Sequence, residues 1–191
     1  MYDIIGFESM VVMMKVIKGI GKGILGIIVA FYILVSIFIT VCLVNYNDYS
    51  IAVIGDRSII TADDNSLNPD FKKGDLLVVK KNDNEDVKIN DSIFFYNNYK
   101  NVVSVNMAKV TNSRRINDME YTFTVDGDYD ISSEYFIGKV DTTVKYDKIG
   151  RIYDIFTSRY GYLFIFILPI LCLFLYEIVA VVREFKNYED E

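Results

Sequence analysis

Two long apolar runs frame the chain, and a more polar region with short apolar segments separates them. The first run, residues 24–44, has no charged side chain, and the second, residues 162–182, is interrupted only by Pro169 and Glu177. About 21 helical residues at 1.5 Å each span roughly the 30 Å hydrocarbon core of a bilayer. The pattern therefore predicts two transmembrane helices.

The region between the runs has the pattern of β-strands. Short segments rich in β-branched and aromatic residues lie at 51–54, 76–79, 92–96, 102–110, 121–125 and 135–140. Clusters of asparagine and aspartate, such as residues 82–86, separate them and predict turns. Because no long 3.6-residue period occurs there, we expect a mostly β domain, either an open sheet or a partly closed barrel.

These patterns divide the chain into consecutive segments. We expect a cytoplasmic or interfacial segment at 1–19, transmembrane helix 1 at 20–45, an extracytoplasmic β domain at 46–160, transmembrane helix 2 at 161–182 and a cytoplasmic tail at 183–191. The orientation follows from the positive-inside rule, which places basic residues on the cytoplasmic side. The basic residues that flank the spans on their outer ends are Lys15, Lys18, Lys22, Arg183 and Lys186. The predicted location is the cell membrane, in two passes.

Composition excludes several classes of site. The 191-residue chain has no histidine, and Cys42 and Cys172 both fall in the apolar runs, so we expect neither a zinc site nor a disulfide in the middle domain. A formal net charge of -6 argues against nucleic acid as a partner. No glycine-rich loop precedes a helix, and the sequence predicts no cofactor. It leaves the oligomeric state open.

A serine beside proline and glycine is the first candidate for chemistry. The stretch from Ser66 to Asp75 reads Ser-Leu-Asn-Pro-Asp-Phe-Lys-Lys-Gly-Asp. Pro69 restricts Asn68 to extended conformations, so Ser66 is expected on an exposed turn. By themselves these residues suit a structural turn or a nucleophile. Without histidine in the chain, lysine is the next candidate for the base that a nucleophilic serine needs.

Lys109 is the candidate base because of strand alternation. In the segment 102–110, Val103, Val105, Met107 and Lys109 share one face. We expect this apolar face to desolvate Lys109 and so to favour the neutral amine, the form that accepts a proton. An ordinary amphipathic lysine at a strand end is the alternative.

The motif residues resemble those of type I signal peptidases of the serine-lysine type. Ser66, Pro69, Gly74 and Asp75 match the family's nucleophile box in register. The segment 86–95 is similar to one in which a turn before a strand usually reads Val-Gly-Asp, although Asn90 replaces the glycine. Three further segments resemble the later Gly-Asp box, the strand after it and the second anchor of many Gram-positive members: 126–128, 132–140 and 161–177.

The resemblance implies a membrane-anchored serine endopeptidase that cleaves signal peptides from exported preproteins after small residues. It implies that Ser66 is the nucleophile, that neutral Lys109 is the base and that Asp128 supports the local geometry. Ser132 would hydrogen-bond the lysine amine, although Ser133 competes for that role. The implied partners are secretory preproteins and the lipid bilayer.

The alternative is a catalytically silent relative that binds secreted chains as a membrane scaffold. Val110 follows Lys109 where family members often carry arginine. An alignment that places Ala108 at the base position leaves the enzyme without a base.

Overall fold

One continuous helix, α1, spans Tyr2–Val44 at the N-terminal end of the protein. The computed structural model describes residues 2–49, 51–62, 67, 69–99, 102–117 and 120–189. Within α1, Ile20–Val44 is long and apolar enough to cross a membrane. Most of its large apolar side chains are exposed, an arrangement that suits lipid as the surroundings. No proline interrupts the helix, and it ends where Asn45 begins a polar turn.

The C-terminal helices follow one another with little interruption. They are α2 (Gly150–Thr157), α3 (Arg159–Tyr162), a π-helical turn (Leu163–Ile167) and α4 (Leu168–Glu189). Ser158 begins α3 as its N-cap, and its hydroxyl oxygen accepts a hydrogen bond from the Gly161 N–H at 3.0 Å. The π-helical turn ends two residues before Pro169, which has no N–H to donate to it. Arg159–Arg183 is the second segment long and apolar enough to cross a membrane.

In the described part of the chain, the region between these helices forms β-strands in two antiparallel sheets. The strands are β1 (Ala52–Ile54), β2 (Arg57–Thr61), β3 (Leu76–Lys80), β4 (Ser92–Tyr99), β5 (Val102–Arg115), β6 (Tyr121–Val125), β7 (Tyr129–Ser132), β8 (Phe136–Lys139) and β9 (Val144–Tyr146). The first sheet has the order β1-β2-β3-β9, and the second has the order β7-β6-β5-β4-β8. The prediction of a mostly β domain between two apolar helices is therefore confirmed.

Each segment predicted as a strand overlaps one of the observed strands, and the structure adds β2, β7 and β9. β2 follows β1 after the tight turn Gly55-Asp56, and Gly55 has a φ of 63°. Arg57 and Ser58 make up the start of β2, so only Ile59 and Ile60 give it an apolar signal in the sequence. β7 and β9 are too short to carry a periodic signal, and their pairing with neighbouring strands defines them.

Two hydrophobic clusters fill the domain, and β4 and β5 contribute to both. Phe94 belongs to the first cluster, whereas Ile93 and Phe95 belong to the second. On β5, Met107 packs against the first cluster and Val110 belongs to the second. The alternation of side chains along a strand thus places β4 and β5 between the two cores. The first core also holds Leu67 and Phe71, two residues of the predicted nucleophile segment.

Candidate functional site

The segment that carries the predicted nucleophile is only partly described. Ser66 lies outside the described residues, as do residues 63–65 and 68. Leu67, which follows Ser66, is 2% exposed and belongs to the first hydrophobic cluster. Its carbonyl oxygen accepts a hydrogen bond from the Phe71 N–H at 3.1 Å. The side chain of Leu67 therefore anchors this segment in the core directly after the serine.

Backbone hydrogen bonds close the loop from residue 62 to residue 75 at its base. The Gly74 N–H donates to the Ala62 carbonyl oxygen at 2.7 Å, and the Ala62 N–H donates to the Asp75 carbonyl oxygen at 3.0 Å. Gly74 has a φ of 92°, in the left-handed region that favours glycine. The Gly-Asp pair of the predicted box thus has a structural role: it returns the chain to β3.

Asp75 is a buried carboxylate that joins this loop to the turn before α2. Its side chain is 4% exposed, and its oxygens accept hydrogen bonds from the Lys72 N–H at 2.9 Å and the Lys148 N–H at 3.2 Å. The Lys72 N–H lowers the pKa of Asp75 most; burial opposes the shift, and the Lys148 N–H and nearby Lys145 reinforce it. Lys148 has a φ of 63°, so the carboxylate also supports an uncommon backbone conformation.

Lys109 lies on β5 opposite Ser92 of β4, and its side chain is exposed. We expected the apolar face of β5 to desolvate Lys109, but the structure leaves this side chain exposed to solvent. Met107, two residues earlier on the same face, packs against the first core. Lys109 lies beyond the end of that contact, and the register between β5 and β6 shifts just after it, between Val110 and Asn112. The core ends before it covers the lysine.

Asp128 lies in the turn between β6 and β7, which is next to the backbone of Lys109. The Asp126 N–H donates to the Lys109 carbonyl oxygen at 3.0 Å, and the Asp128 N–H donates to the Val125 carbonyl oxygen at 3.1 Å. Asp128 is exposed and has a φ of 57°, and it follows Gly127, whose φ is 96°. The structure thus brings the predicted Gly-Asp box beside Lys109, and it also gives Asp128 the geometry of a turn residue.

Ser132 lies at the far end of the same hairpin. It pairs with Thr122, which in turn pairs with Arg114, five residues along β5 from Lys109. At about 3.3 Å per residue, these five residues separate Ser132 from Lys109 by roughly 16–17 Å along the strand direction. The Ser132 hydroxyl instead accepts a hydrogen bond from the Glu134 N–H at 3.4 Å. The hydroxyl of Ser133 accepts one from the Tyr121 N–H at 3.1 Å, so neither serine approaches the lysine amine.

A second lysine, which the sequence patterns did not single out, is more enclosed than Lys109. The side chain of Lys139 is 14% exposed, and its Nζ lies 2.9 Å from Asp91 Oδ2 and 3.5 Å from Asp141 Oδ2. The hydrogen bond to Asp91 raises the pKa of Lys139, and burial only partly opposes it. Lys139 is thus held in its charged form. The sequence indicates a turn at Asp91, but no local pattern shows that this aspartate contacts Lys139.

Asn90 explains one departure from the expected motif. It has a φ of 78°, and glycine is the usual residue in this left-handed region. Asparagine tolerates the conformation better than most side chains, which accounts for its presence in place of glycine. The Lys88 N–H donates to Asp91 Oδ2 at 2.9 Å and closes the turn.

The described residues include no cluster of three or more histidine, cysteine, aspartate or glutamate side chains placed to hold a metal ion. Cys42 is buried and Cys172 is exposed, and neither is in a disulfide.

Comparison with protein-family models, with curated proteins and with solved structures finds no match to this chain. The resemblance to signal peptidases therefore depends on the motif residues of the sequence.

Proposed function

We propose that this protein is a membrane-anchored serine endopeptidase that removes signal peptides from exported preproteins. The motif residues support the proposal, and so does the position of Leu67. Leu67 is buried in the cluster against which Met107 packs, and Met107 precedes Lys109 on the same face of β5. The chain next to Ser66 and the strand that carries Lys109 thus meet at one core. This is the observation on which the proposal depends.

In the proposed reaction, the Lys109 amine accepts the proton of the Ser66 hydroxyl as its oxygen attacks the scissile carbonyl carbon. The amine then donates a proton to the departing peptide nitrogen, and an acyl-enzyme remains. Water hydrolyses this ester and restores the serine. The Ser66 N–H and a neighbouring donor stabilise the oxyanion, and one such donor commonly contributes about 3–4 kcal/mol. Asp128, in the turn beside Lys109, supports the position of the strand end.

The exposure of Lys109 gives the substrate a specific role in this mechanism. The Lys109 side chain is exposed, so water reaches its amine in the free protein. An extended peptide that lies over the end of β5 excludes water from the amine, because its backbone and small side chains cover the strand face. Substrate binding thus completes the apolar surroundings that the core leaves open.

We place the β domain on the extracytoplasmic face of the cell membrane. The basic residues Lys15, Lys18 and Lys22 precede the first apolar segment, and Arg183 and Lys186 follow the second. By the positive-inside rule, both ends are cytoplasmic and the chain crosses the membrane twice. The β domain is then on the side where signal peptides are removed.

The second candidate is a catalytically silent scaffold that binds secreted chains. The exposed side chain of Lys109 favours it, since the described residues leave this lysine open to water. The more enclosed Lys139 is already paired with Asp91 and does not replace it.

The test is cleavage of a secretory preprotein by the full-length chain reconstituted in lipid vesicles. We expect Ser66→Ala and Lys109→Ala to lose cleavage by at least 100-fold, the lower range for loss of a nucleophile or its base. Lys88→Ala, which removes another exposed lysine, is the matched control and retains the wild-type rate. Equal processing by all variants rules out the proposed dyad. Binding of the preprotein without cleavage by the wild type supports the scaffold.

A further inference from the structure

A basic cleft of ≈ 710 Å³ opens where the turn after β9 and the start of α2 meet the loop before β3. Its cationic lining residues are Lys72, Lys73, Lys145, Lys148 and Arg151. The carboxylates that line it are Asp75 and Asp147. The lining thus has an excess of positive charge in a chain whose formal net charge is -6. A cleft that opposes the overall charge so strongly favours an anionic ligand.

The two acidic residues leave most of this positive charge available. Asp75 is buried beneath the cleft, where its oxygens bond the backbone N–H groups of Lys72 and Lys148 and not their ammonium groups. The two carboxylates mainly offset the positive charge of Lys145, since its Nζ lies 3.1 Å from Asp147 and 4.0 Å from Asp75. The exposed side chains of Lys72, Lys148 and Arg151 therefore project from a backbone that the buried Asp75 holds in place.

Arg151 is positioned by close contact with the loop. A Cβ atom added to Gly74 would lie 3.0 Å from Arg151 Nε and 3.1 Å from Arg151 Cγ, so the guanidinium stem lies directly against the glycine backbone. The Gly150 N–H donates to the Gly74 carbonyl oxygen at 3.0 Å and fixes the start of α2 at the same place. The backbone that carries Arg151 is thus tied to the loop before β3.

An exposed apolar face lies beside the cleft on α2. Ile149, the N-cap of α2, and Ile152 and Ile155 within it are 45%, 53% and 56% exposed, and their spacing of three residues places them along one side of the helix. α2 leads directly into Arg159–Arg183, the second membrane-length segment. Basic side chains next to an exposed apolar helix face, just outside a membrane helix, have the chemistry of a surface that lies on anionic lipid.

We propose that the basic cleft and the isoleucine face of α2 together bind an anionic phospholipid at the membrane surface. The cationic side chains contact the headgroup phosphate, and the isoleucines contact the upper acyl chains. This goes beyond the proposed peptidase activity, because an active enzyme and a silent scaffold would both bind lipid in this way. The lipid would hold the β domain against the bilayer at a fixed depth.

The absence of tryptophan from the chain gives a direct test. Ile152→Trp introduces a single tryptophan on the proposed lipid-facing side of α2, one residue from Arg151. The full-length variant is reconstituted in vesicles, and its fluorescence is quenched with brominated phosphatidylglycerol or brominated phosphatidylcholine in mixtures of the two lipids. The ratio of quenching gives the preference for the anionic lipid. Each basic residue near an anionic surface contributes about a fivefold preference.

The test variant carries Lys72→Gln, Lys148→Gln and Arg151→Gln in addition to the reporter. The matched control carries Lys80→Gln, Lys81→Gln and Lys88→Gln, which remove the same charge from exposed positions outside the cleft. We expect the test variant to lose the preference at least fivefold and the control to keep it. Circular dichroism verifies that both are folded, and Arg151→Gln alone gives a smaller loss in the same direction.

Two results would overturn the proposal. Equal preference in the test variant and the control means that the cleft does not select the lipid. The second result comes from adding inorganic phosphate at millimolar concentration, with the ionic strength held constant by chloride. If phosphate abolishes the preference for phosphatidylglycerol, the cleft is a site for a soluble phosphate and not for a lipid; if phosphate leaves the preference intact, the lipid assignment is supported.

Discussion

Lys139 Nζ lies 2.9 Å from Asp91 Oδ2, and this ion pair joins β8 to the turn before β4. The side chains are 14% and 24% exposed, so water screens the pair less than it would screen one on the surface. The pair has a structural role, and it holds a partly enclosed lysine in its charged form. Lys109, the proposed base, has no comparable enclosure in the described residues.

Asp91→Asn should lower the stability of the fold by about 1.5–3 kcal/mol, the usual contribution of a hydrogen bond to a charged group. For a chain of this length, this corresponds to a fall of about 3–12 °C in the thermal midpoint. The measurement is thermal unfolding of the full-length protein in detergent micelles, followed by circular dichroism. Asp141→Asn is the control, because Asp141 is 65% exposed and lies farther from Lys139, and we expect little change.

The stability that this ion pair contributes should decrease at both low pH and high pH. For Asp91, burial opposes the charged form, but the Lys88 N–H and the Lys139 ammonium outweigh it and lower the pKa below its ordinary 3.8. This contribution is present above about pH 4 and is lost as the pH falls through the lowered pKa. The pKa of Lys139 is raised, so its contribution is present below about pH 10.5 and is lost as the pH rises through the raised value. Asp91→Asn should flatten both limbs of the stability profile, and an unchanged profile would contradict the pairing.

Asp75→Asn should destabilise the loop before β3 and the turn before α2 together. An asparagine has one oxygen, so one of the two backbone N–H groups that Asp75 now bonds loses its acceptor. The expected loss at pH 7 is about 1–3 kcal/mol. Because the pKa of Asp75 is lowered by these bonds, its contribution is present above about pH 4 and is lost as the pH falls through the lowered pKa, so the difference between the variant and the wild type should shrink as the pH falls.

The control for that experiment is Asp147→Asn, since Asp147 is 73% exposed and lies in the same cleft. Thermal unfolding measured in steps from pH 7 down to about pH 2 provides both comparisons. A constant difference between Asp75→Asn and wild type across this range would mean that the charge of Asp75 does not stabilise the fold.

Gly150→Ala should separate α2 from the first sheet. An added Cβ would lie 2.7 Å from Thr61 Cγ2, 2.8 Å from the Asp75 carbonyl oxygen and 2.9 Å from the Gly74 carbonyl oxygen. Two of these atoms belong to the backbone and cannot rotate away, so we expect a loss of about 1–3 kcal/mol. Gly26→Ala is the control, because no atom lies within 4 Å of its added Cβ. Equal thermal midpoints for the two variants would show that the α2 junction has more room than its geometry indicates.

Leu67→Ala should loosen the segment that carries Ser66. Removal of a fully buried leucine side chain costs about 2–5 kcal/mol, because it leaves a cavity in the core. Ile116→Ala, at an exposed position, should change stability by no more than about 0.5 kcal/mol. Thermal unfolding compares the two variants, and a melting curve for Leu67→Ala like that of the wild type would argue against an anchored segment. If the proposed peptidase is correct, Leu67→Ala also cleaves more slowly than Ile116→Ala.

Local patterns in the sequence determined the main architecture. The uninterrupted apolar runs indicated two membrane-length helices, and the β-branched and aromatic segments indicated most of the strands, because both signals depend on residues that are close in the chain. The turn at Asn90 was expected only from the resemblance of the segment 86–95 to signal peptidases, and its φ of 78° fits a turn residue. The short strands β7 and β9 were not predicted, because they depend on partners far away in the sequence.

Only the tertiary structure decided the surroundings of the charged groups. Alternation along β5 placed Lys109 on an apolar face, but the end of the core leaves its side chain exposed. Lys139 and Asp91 are 48 positions apart and meet only because β8 pairs with β4. The same is true of the basic cleft, whose cations come from the loop before β3 and from the chain around the start of α2. Burial and charge pairing depend on how distant segments pack, and packing is the property that local periodicity does not contain.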